Sequence, residues 1–390
     1  MVIVVAGLLV LAACQDAASP EQASGIAPNA RGQGAPARTV PDEYIVVFKG
    51  DVTNVRGLAE ALARTHGGRL RFVYTSAVRG FAAHLSPAAA AALTHNPLVA
   101  WVEPDQQVSL DATQNMDAVG DPWGLDRIDQ SALPLSRTYT YTQTGSTIYA
   151  YIIDTGISTS HPDFGGRAAN VYDALGLTGE DCHGHGTHVA GTVGAATYGV
   201  AKAARLRGVR VLSCAGLGLT SHIIAGVDWV RANHVKPAVA NMSLGGGASP
   251  TLDAAVNNLA AAGVFVAVAA GNDNVDACTA SPAGASGVFT VASSEKTDLK
   301  SSFSNWGTCV EAYAPGTAIK STWLLGGTNT ISGTSMASPH VAGVAALYKG
   351  TFGDASQSTV ANWIISNATA GVITGNPAGT PNRLLNKSTL

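Results

Sequence analysis

Gly333-Thr334-Ser335-Met336-Ala337-Ser338-Pro339-His340-Val341-Ala342-Gly343 sets a serine at the head of an apolar, alanine-rich run. Two upstream segments belong with it: Ile153-Asp154-Thr155-Gly156 and Gly184-His185-Gly186-Thr187-His188. Each delivers one member of an Asp-His-Ser set from a glycine-rich strand end or helix start. A serine hydroxyl is a poor nucleophile at neutral pH. It needs an imidazole to take its proton, and the imidazole needs a carboxylate to fix its tautomer and stabilise its cation. The chain order Asp, His, Ser is diagnostic, because unrelated folds use other orders. The order Ser, acid, His fails, since no histidine follows His340. The order His, Asp, Ser can be written with Asp228. That architecture needs many short alternating strands, whereas this chain has long alanine-rich helical stretches between apolar runs.

Composition narrows the class. The 390 residues hold one large domain and smaller parts. Acidic residues number 26 and basic ones 23, with no long basic block, which argues against nucleic acid as a partner. Met1 to Ala13 is almost wholly apolar, too short for a membrane span, and reads as a signal-peptide core in segment 1–14. Leu11-Ala12-Ala13-Cys14 resembles a bacterial lipoprotein signal with a lipid anchor on Cys14; an ordinary small-residue cleavage site is the other reading. Either implies export. Four further cysteines, Cys182, Cys214, Cys278 and Cys309, allow three pairings, and an exported chain favours disulfides.

Segment 15–40 is rich in Ala, Gly, Pro, Ser and Gln and reads as a flexible linker. A compact unit over 41–110 follows. Strands are expected at Tyr44–Phe48, within Leu70–Leu85 and at Val99–Val102. Helices are expected at Val55–Thr65 and from Ser86-Pro87 to Asn96-Pro97. That order suggests a small α+β sandwich. Asp105 to Val119 reads as a polar connector. Beyond it, the apolar runs 148–153, 206–211, 239–243, 264–269 and 288–291 read as buried parallel strands. Helices are expected at 185–194, 221–233, 250–262 and 335–349. The fold class is α/β, a mainly parallel twisted sheet with helices on both faces. Sites in such sheets lie beyond the carboxyl ends of the strands, where Asp154 and Asn272 fall.

Ser335 has a bland reading as a helix cap; the helix dipole and free amides there also suit a nucleophile. His183, His185 and His188 have spacings that a metal could exploit, a reading the sequence does not otherwise support. Asn272, after Ala269-Ala270-Gly271, offers a side-chain amide to an oxyanion, joined by the Ser335 N–H; its alternative is a turn asparagine.

At these residues the chain resembles the subtilisin-like serine proteases of the proteinase K branch, its aqualysin-like members in particular. The resemblance runs from Pro41 to Asn386 through PWGLDRID, YIIDTGI, GHGTHVAGT, YGVAK, IIAGVDWV, VANMSLGGG, AVAAGNDN, FSNWG, GTSMASPHVAGVAALY and PNRLL. It implies a subtilisin-like protease domain over 112–390, endopeptidase activity with a broad, mostly apolar preference, and an inhibitory pro-domain at 41–110 that is cleaved near Leu110–Ala112. Gly216-Leu217-Gly218 and Ser243-Leu244-Gly245 match the two edges between which a substrate lies as an added strand, and Ala269-Ala270-Gly271 matches the primary pocket. The resemblance pairs Cys182 with Cys214 and Cys278 with Cys309. It also implies calcium: first at Asp126, Asp129, Gln130 and Ser136 with Thr138 close by, a donor set that suits the ion; second at Glu311 with carbonyls near Ser286 and Val288, although relatives tend to carry aspartate at Glu311. A monomer acting on polypeptides, with its own pro-domain as inhibitor, is expected. An inactive binding protein on the same fold, or an acid-triad relative with glutamate at His185, is disfavoured by the residues present.

Overall fold

The computed structural model describes residues 39–75, 79–106 and 112–390. Segment 1–14 with Cys14, residues 15–38 of the linker, and Leu110 at the expected cleavage point lie outside them.

The first unit is built as expected. It runs β1 (Thr39–Phe48), α1 (Val55–Thr65), β2 (Arg69–Tyr74), β3 (Gly80–His84), α2 (Pro87–Thr94) and β4 (Val99–Gln106). Its antiparallel sheet has the order β2-β3-β1-β4. α1 buries Val55, Ala59, Leu62 and Ala63, one stripe at helical spacing. Asn54 caps it by accepting from Gly57 N at 3.0 Å. Ser86 caps α2 through Ala89 N, with Pro87 at the first helical position. Thr39 and Val40, read as linker, already belong to β1.

The connector reading fails at Ala112. β5 (Ala112–Asn115) pairs antiparallel with β6 (Thr138–Tyr141), and Met116 enters the core. Polarity hid this short strand, which pairs at the edge of the domain and needs little apolar surface. α3 (Trp123–Ile128) lies between the two strands.

The large sheet follows. Its elements are β7 (Tyr149–Asp154), β8 (Ala168–Asp173), α4 (His185–Gly194), β9 (Arg205–Arg210), α5 (Thr220–Asn233), β10 (Ala238–Met242), β11 (Gly246–Gly247), α6 (Pro250–Ala261), β12 (Phe265–Ala269), β13 (Ala280–Ser281), β14 (Phe289–Ser294) and β15 (Ala312–Pro315). A hairpin of β16 (Ile319–Thr322) and β17 (Thr328–Ile331) leads to α7 (Thr334–Phe352), α8 (Gln357–Asn367), β18 (Thr369–Ala370) and β19 (Arg383–Leu384). The nine-stranded order is β18-β19-β15-β14-β12-β10-β7-β9-β8. Every neighbouring pair is parallel except β18 with β19.

Alternation sorts the side chains onto two faces. Ala150 and Ile152 of β7 join the core under α4 and α7, while Tyr151 and Ile153 join the core under α5 and α6. The strand order reverses at β7: β8 and β9 lie to one side, β10 and the later strands to the other. The crevice at such a switch point opens beyond the carboxyl ends of β7 and β10, and Asp154 is the last residue of β7.

Candidate active site

Asp154 is fully buried. Its Oδ1 accepts from Thr155 N and from His185 Nδ1, each at 2.7 Å. Burial pushes the His185 pKa down, but the charge and hydrogen bond of Asp154 outweigh it and hold the imidazole above its ordinary value. His185 begins α4, and the turn before it needs glycine. Gly184 has φ +102, and a Cβ there would meet the Trp323 indole at 2.4 Å.

Asp181 organises this turn, and sequence reasoning missed it. It is buried and accepts from His183 N, Gly184 N, Thr187 N, Thr187 Oγ1 and Thr155 Oγ1, at 2.6–2.9 Å. One carboxylate thus ties the segment after Asp154 to the one bearing His185. Its only signal in sequence is an aspartate just ahead of the histidine cluster. His188 leaves that cluster: its Nε2 lies 3.0 Å from Ile319 O and 3.2 Å from Asn329 O on the β16–β17 hairpin. Burial lowers its pKa to about 4, so it is a neutral clamp at pH 7.

Ser335 sits in the first turn of α7, behind Gly333 at the N-cap. The cap reading of Ser335 therefore does not hold. Its N–H is one of the amides that lack an intrahelical acceptor. Its Oγ donates to Ser243 O at 3.3 Å. Asn272 accepts from Thr334 N at 2.8 Å and Thr334 Oγ1 at 3.0 Å, both through Oδ1. A backbone N–H can only donate, so the oxygen of this amide is fixed and Nδ2 is left as a free pair of donors beside Gly333. Asn305 steadies the segment from behind, bonding Ala270 O, Asp273 N and Val275 N at 2.9–3.0 Å.

The expected cleft residues line two pockets. One pocket of about 470 Å³ is lined by Leu244, Gly245, Ala269, Ala270, Gly271, Asn272 and Ser335. A second, of about 350 Å³, is lined by Gly216, Leu217, Gly218, Ser243, Leu244 and Gly245 together with His185. Both expected disulfides are formed, Cys182–Cys214 and Cys278–Cys309, with Cα atoms 5.0 and 5.3 Å apart.

Comparison with known proteins accords with this geometry. The subtilase family model matches residues 145–385, and that of the peptidase inhibitor I9 matches 43–111. The chain belongs to the subtilase family. It is 47% identical to an extracellular serine proteinase of Thermus sp. (strain Rt41A), over 97% of both chains. It is 47% identical to alkaline serine exoprotease A of Vibrio alginolyticus, over 89% of this chain and 67% of that one. A solved cold-adapted subtilisin-like serine proteinase is 51% identical, with a TM-score of 0.67 over 68% of this chain and 97% of its own. This subtilase is a serine endopeptidase that carries an I9 inhibitor domain ahead of its protease domain.

The two calcium groups fare differently in the subtilase. In the first, Asp126 is closed by Ser136 N, Ser136 Oγ and Arg137 N, at 2.6–3.1 Å. Asp129 takes Thr140 N at 2.7 Å and the Lys387 ammonium at 2.9 Å. Gln130 Oε1 takes Ser136 N at 2.9 Å. A buried lysine and backbone donors already satisfy these oxygens, so this set does not fit a calcium ion. In the second, Glu311 accepts from Thr290 N through Oε2 and faces a pocket with Ser286, Gly287 and Val288. Burial raises its pKa to about 7. A desolvated carboxylate lining one pocket with Ser286, Gly287 and Val288 is a donor of the kind that fits calcium.

Proposed function

We propose that this subtilase is an exported endopeptidase, made as a zymogen, that uses Ser335 as nucleophile, His185 as general base and acid, and Asp154 as the group that orients His185. The observation that carries this is the 2.7 Å bond from His185 Nδ1 to the buried Asp154, which leaves Nε2 for the serine proton. The Ser335 hydroxyl, which donates to Ser243 O in the resting structure, gives its proton to that nitrogen as it attacks. Attack on the scissile carbonyl gives a tetrahedral oxyanion, which Asn272 Nδ2 and the Ser335 N–H stabilise. His185 then passes its proton to the leaving amine, and water repeats the cycle on the acyl-enzyme.

Substrate lies as a strand between Gly216-Gly218 and Ser243-Gly245 and is held by main-chain bonds, which supports breadth of specificity. The pocket beside Ser335 is walled by Ala270, Val275 and Ala283 and supports a preference for an apolar residue before the scissile bond. The I9 domain supports self-inhibition until cleavage near Leu110–Ala112. The apolar N-terminal run and the likeness to an extracellular proteinase of Thermus support export. Calcium is assigned to Glu311 with the Ser286 and Val288 carbonyls.

The test is Ser335→Ala. The variant should accumulate as uncleaved precursor and hydrolyse no casein, and a phosphonate probe should label only the parent. Undiminished hydrolysis or normal processing by a pure Ser335→Ala preparation overturns the reading.

A further inference from the structure

Ser335 Oγ donates to Ser243 O in the resting structure. The spacing of base and nucleophile therefore rests on the frame that carries them. α4 bears His185, and the segment after β17 bears Ser335. The two are joined away from the triad, through one imidazole.

His188 stands about one turn after His185 on α4 and is fully buried. Its Nε2 meets two backbone carbonyls, Ile319 O at 3.0 Å and Asn329 O at 3.2 Å. A carbonyl can only accept, so Nε2 carries the hydrogen, and the neutral ring leaves Nδ1 bare. One N–H thus bridges β16 and β17, and β17 leads into Gly333-Thr334-Ser335. The hairpin answers in kind: Ser321 Oγ donates to His188 O and Thr322 Oγ1 to Thr187 O, each at 2.9 Å. Trp323 completes the join. Its indole meets the His188 ring edge-on, with centres 6.1 Å apart, and also packs over Gly184, next to His185.

The bare nitrogen shows what this arrangement costs. Nδ1 is buried and has no hydrogen-bond partner. An unpaired buried polar atom costs about 1–3 kcal/mol. An aliphatic side chain of similar bulk would fill the same space without that penalty. What the imidazole adds is the N–H at Nε2, and what that N–H holds is the hairpin against the helix of the base.

We propose that His188 is a positioning residue for proteolysis: its Nε2–H locks the β16–β17 hairpin to α4 and so fixes the spacing of His185 and Ser335. The inference rests on the reading of those two residues as base and nucleophile. His188 acts through the frame.

The test compares mature parent, His188→Leu and His188→Gln on a peptide anilide, well below each melting temperature. The glutamine amide nitrogen reaches the place of Nε2 and restores the donor; leucine does not. His188→Leu should lower kcat about 10- to 100-fold with KM within about twofold, as expected for a displacement near ~1 Å. Phosphonate labelling of Ser335 should slow in parallel, with the near-UV circular dichroism of the parent retained. His188→Gln should return kcat to within about threefold of the parent, a rescue that loss of packing would not show. Thr322→Val keeps the shape of the side chain and removes one link of the same join. It should lower kcat about three- to tenfold at constant KM, and it decides the matter if His188→Leu does not fold. Unchanged kcat in folded His188→Leu or in Thr322→Val overturns the proposal. So does a loss that falls on KM alone, or one that glutamine does not recover. Failure of the parent reading looks different: Ser335→Ala would still hydrolyse substrate.

Discussion

Ser243 and Ser335 exchange two hydrogen bonds: Ser243 Oγ donates to Ser335 O at 2.7 Å, and Ser335 Oγ donates to Ser243 O at 3.3 Å. The first exists because of Pro339. In a regular helix the N–H of residue 339 would donate to the carbonyl of 335, four residues back, but proline has none. The carbonyl so freed is taken by the substrate edge. Asn241 holds Ser243 Oγ at 2.9 Å and is itself held by Ser338 Oγ at 2.7 Å. A buried polar chain therefore couples the Ser243 segment to the helix that bears Ser335.

Ser243→Ala should lower kcat about 10- to 100-fold, because it releases the backbone on which Ser335 is aimed. Pro339→Ala combined with it returns an N–H to that carbonyl. The double variant should unfold at a higher temperature than Ser243→Ala alone. A double-mutant cycle checks this, and strictly additive changes in stability would show that the two sites are uncoupled.

The acid limb of activity follows from His185. The proposed mechanism needs neutral imidazole, and Asp154 holds the His185 pKa above its ordinary value. As pH falls through that raised value the base is protonated and kcat/KM falls. The apparent pKa of the acid limb should therefore lie above ~6.5, the unperturbed imidazole value. Asp154→Asn should cost about 10⁴ in kcat through the wrong tautomer. A pH profile of kcat/KM for the parent, with single-pH turnover for the variant, reads both. An acid limb below the free-imidazole value would contradict the assignment.

Most of this site is visible in sequence because each piece carries its own local constraint. Asp154, His185 and Ser335 sit at glycine-marked turns that a helical or strand pattern leads into. The largely apolar strands β7, β10 and β12 were equally plain, since burial on both faces leaves few polar positions to confuse the pattern. β8 was not, as every one of its residues is only half-buried at the sheet edge. α8 was missed for a related reason, with only Val360 and Ile364 fully buried in eleven residues. Asn305 acts through backbone groups distant in sequence, and Asp181 reaches across to the distant Thr155 hydroxyl; spacing carries no trace of such bonds. The first calcium group was read from residue types that suit the ion, whereas the partner of Asp129 in the structure is Lys387, far along the chain.

The Cys182–Cys214 bridge joins the loop carrying His183 and His185 to the substrate edge. Arg210 lies behind it, with its guanidinium 3.3 and 3.5 Å from the two sulfurs. Replacing both cysteines with serine frees a loop whose ends are 32 residues apart. The chain-entropy model gives a loss of about 3–4 kcal/mol for such a loop. KM should rise as well, because one edge of the cleft loses its tether. Thermal unfolding of an inhibited sample, with peptide kinetics, measures the two effects; an unchanged melting temperature would count against a structural bridge.

Arg127 is the largest fully buried side chain, and it makes a two-pronged pair with Asp298, at 2.6 and 2.9 Å. The pair fastens α3 to the turn after β14. Asp298→Ala leaves a buried guanidinium without its counter-charge and should cost about 3–5 kcal/mol. Replacing both partners with apolar residues should cost less than Asp298→Ala alone. Denaturant unfolding of the three proteins decides it, and a double variant less stable than the single one would contradict the argument.

Calcium proposed at Glu311 would carry a pH signature. Its carboxyl is raised to about 7 by burial, so the folded state prefers it protonated. Without the ion, its contribution to stability is lost as pH rises from the ordinary carboxylate value through about 7. Calcium requires the ionised form and removes that penalty. The melting-temperature gain on adding calcium should thus be small at pH 5.5 and large at pH 8. Glu311→Gln should abolish most of the gain and, with chelator present at pH 8, should itself be more stable than the parent. Scanning calorimetry across pH with calcium or chelator makes the comparison. A calcium effect that is independent of pH, or that survives Glu311→Gln, would place the ion elsewhere.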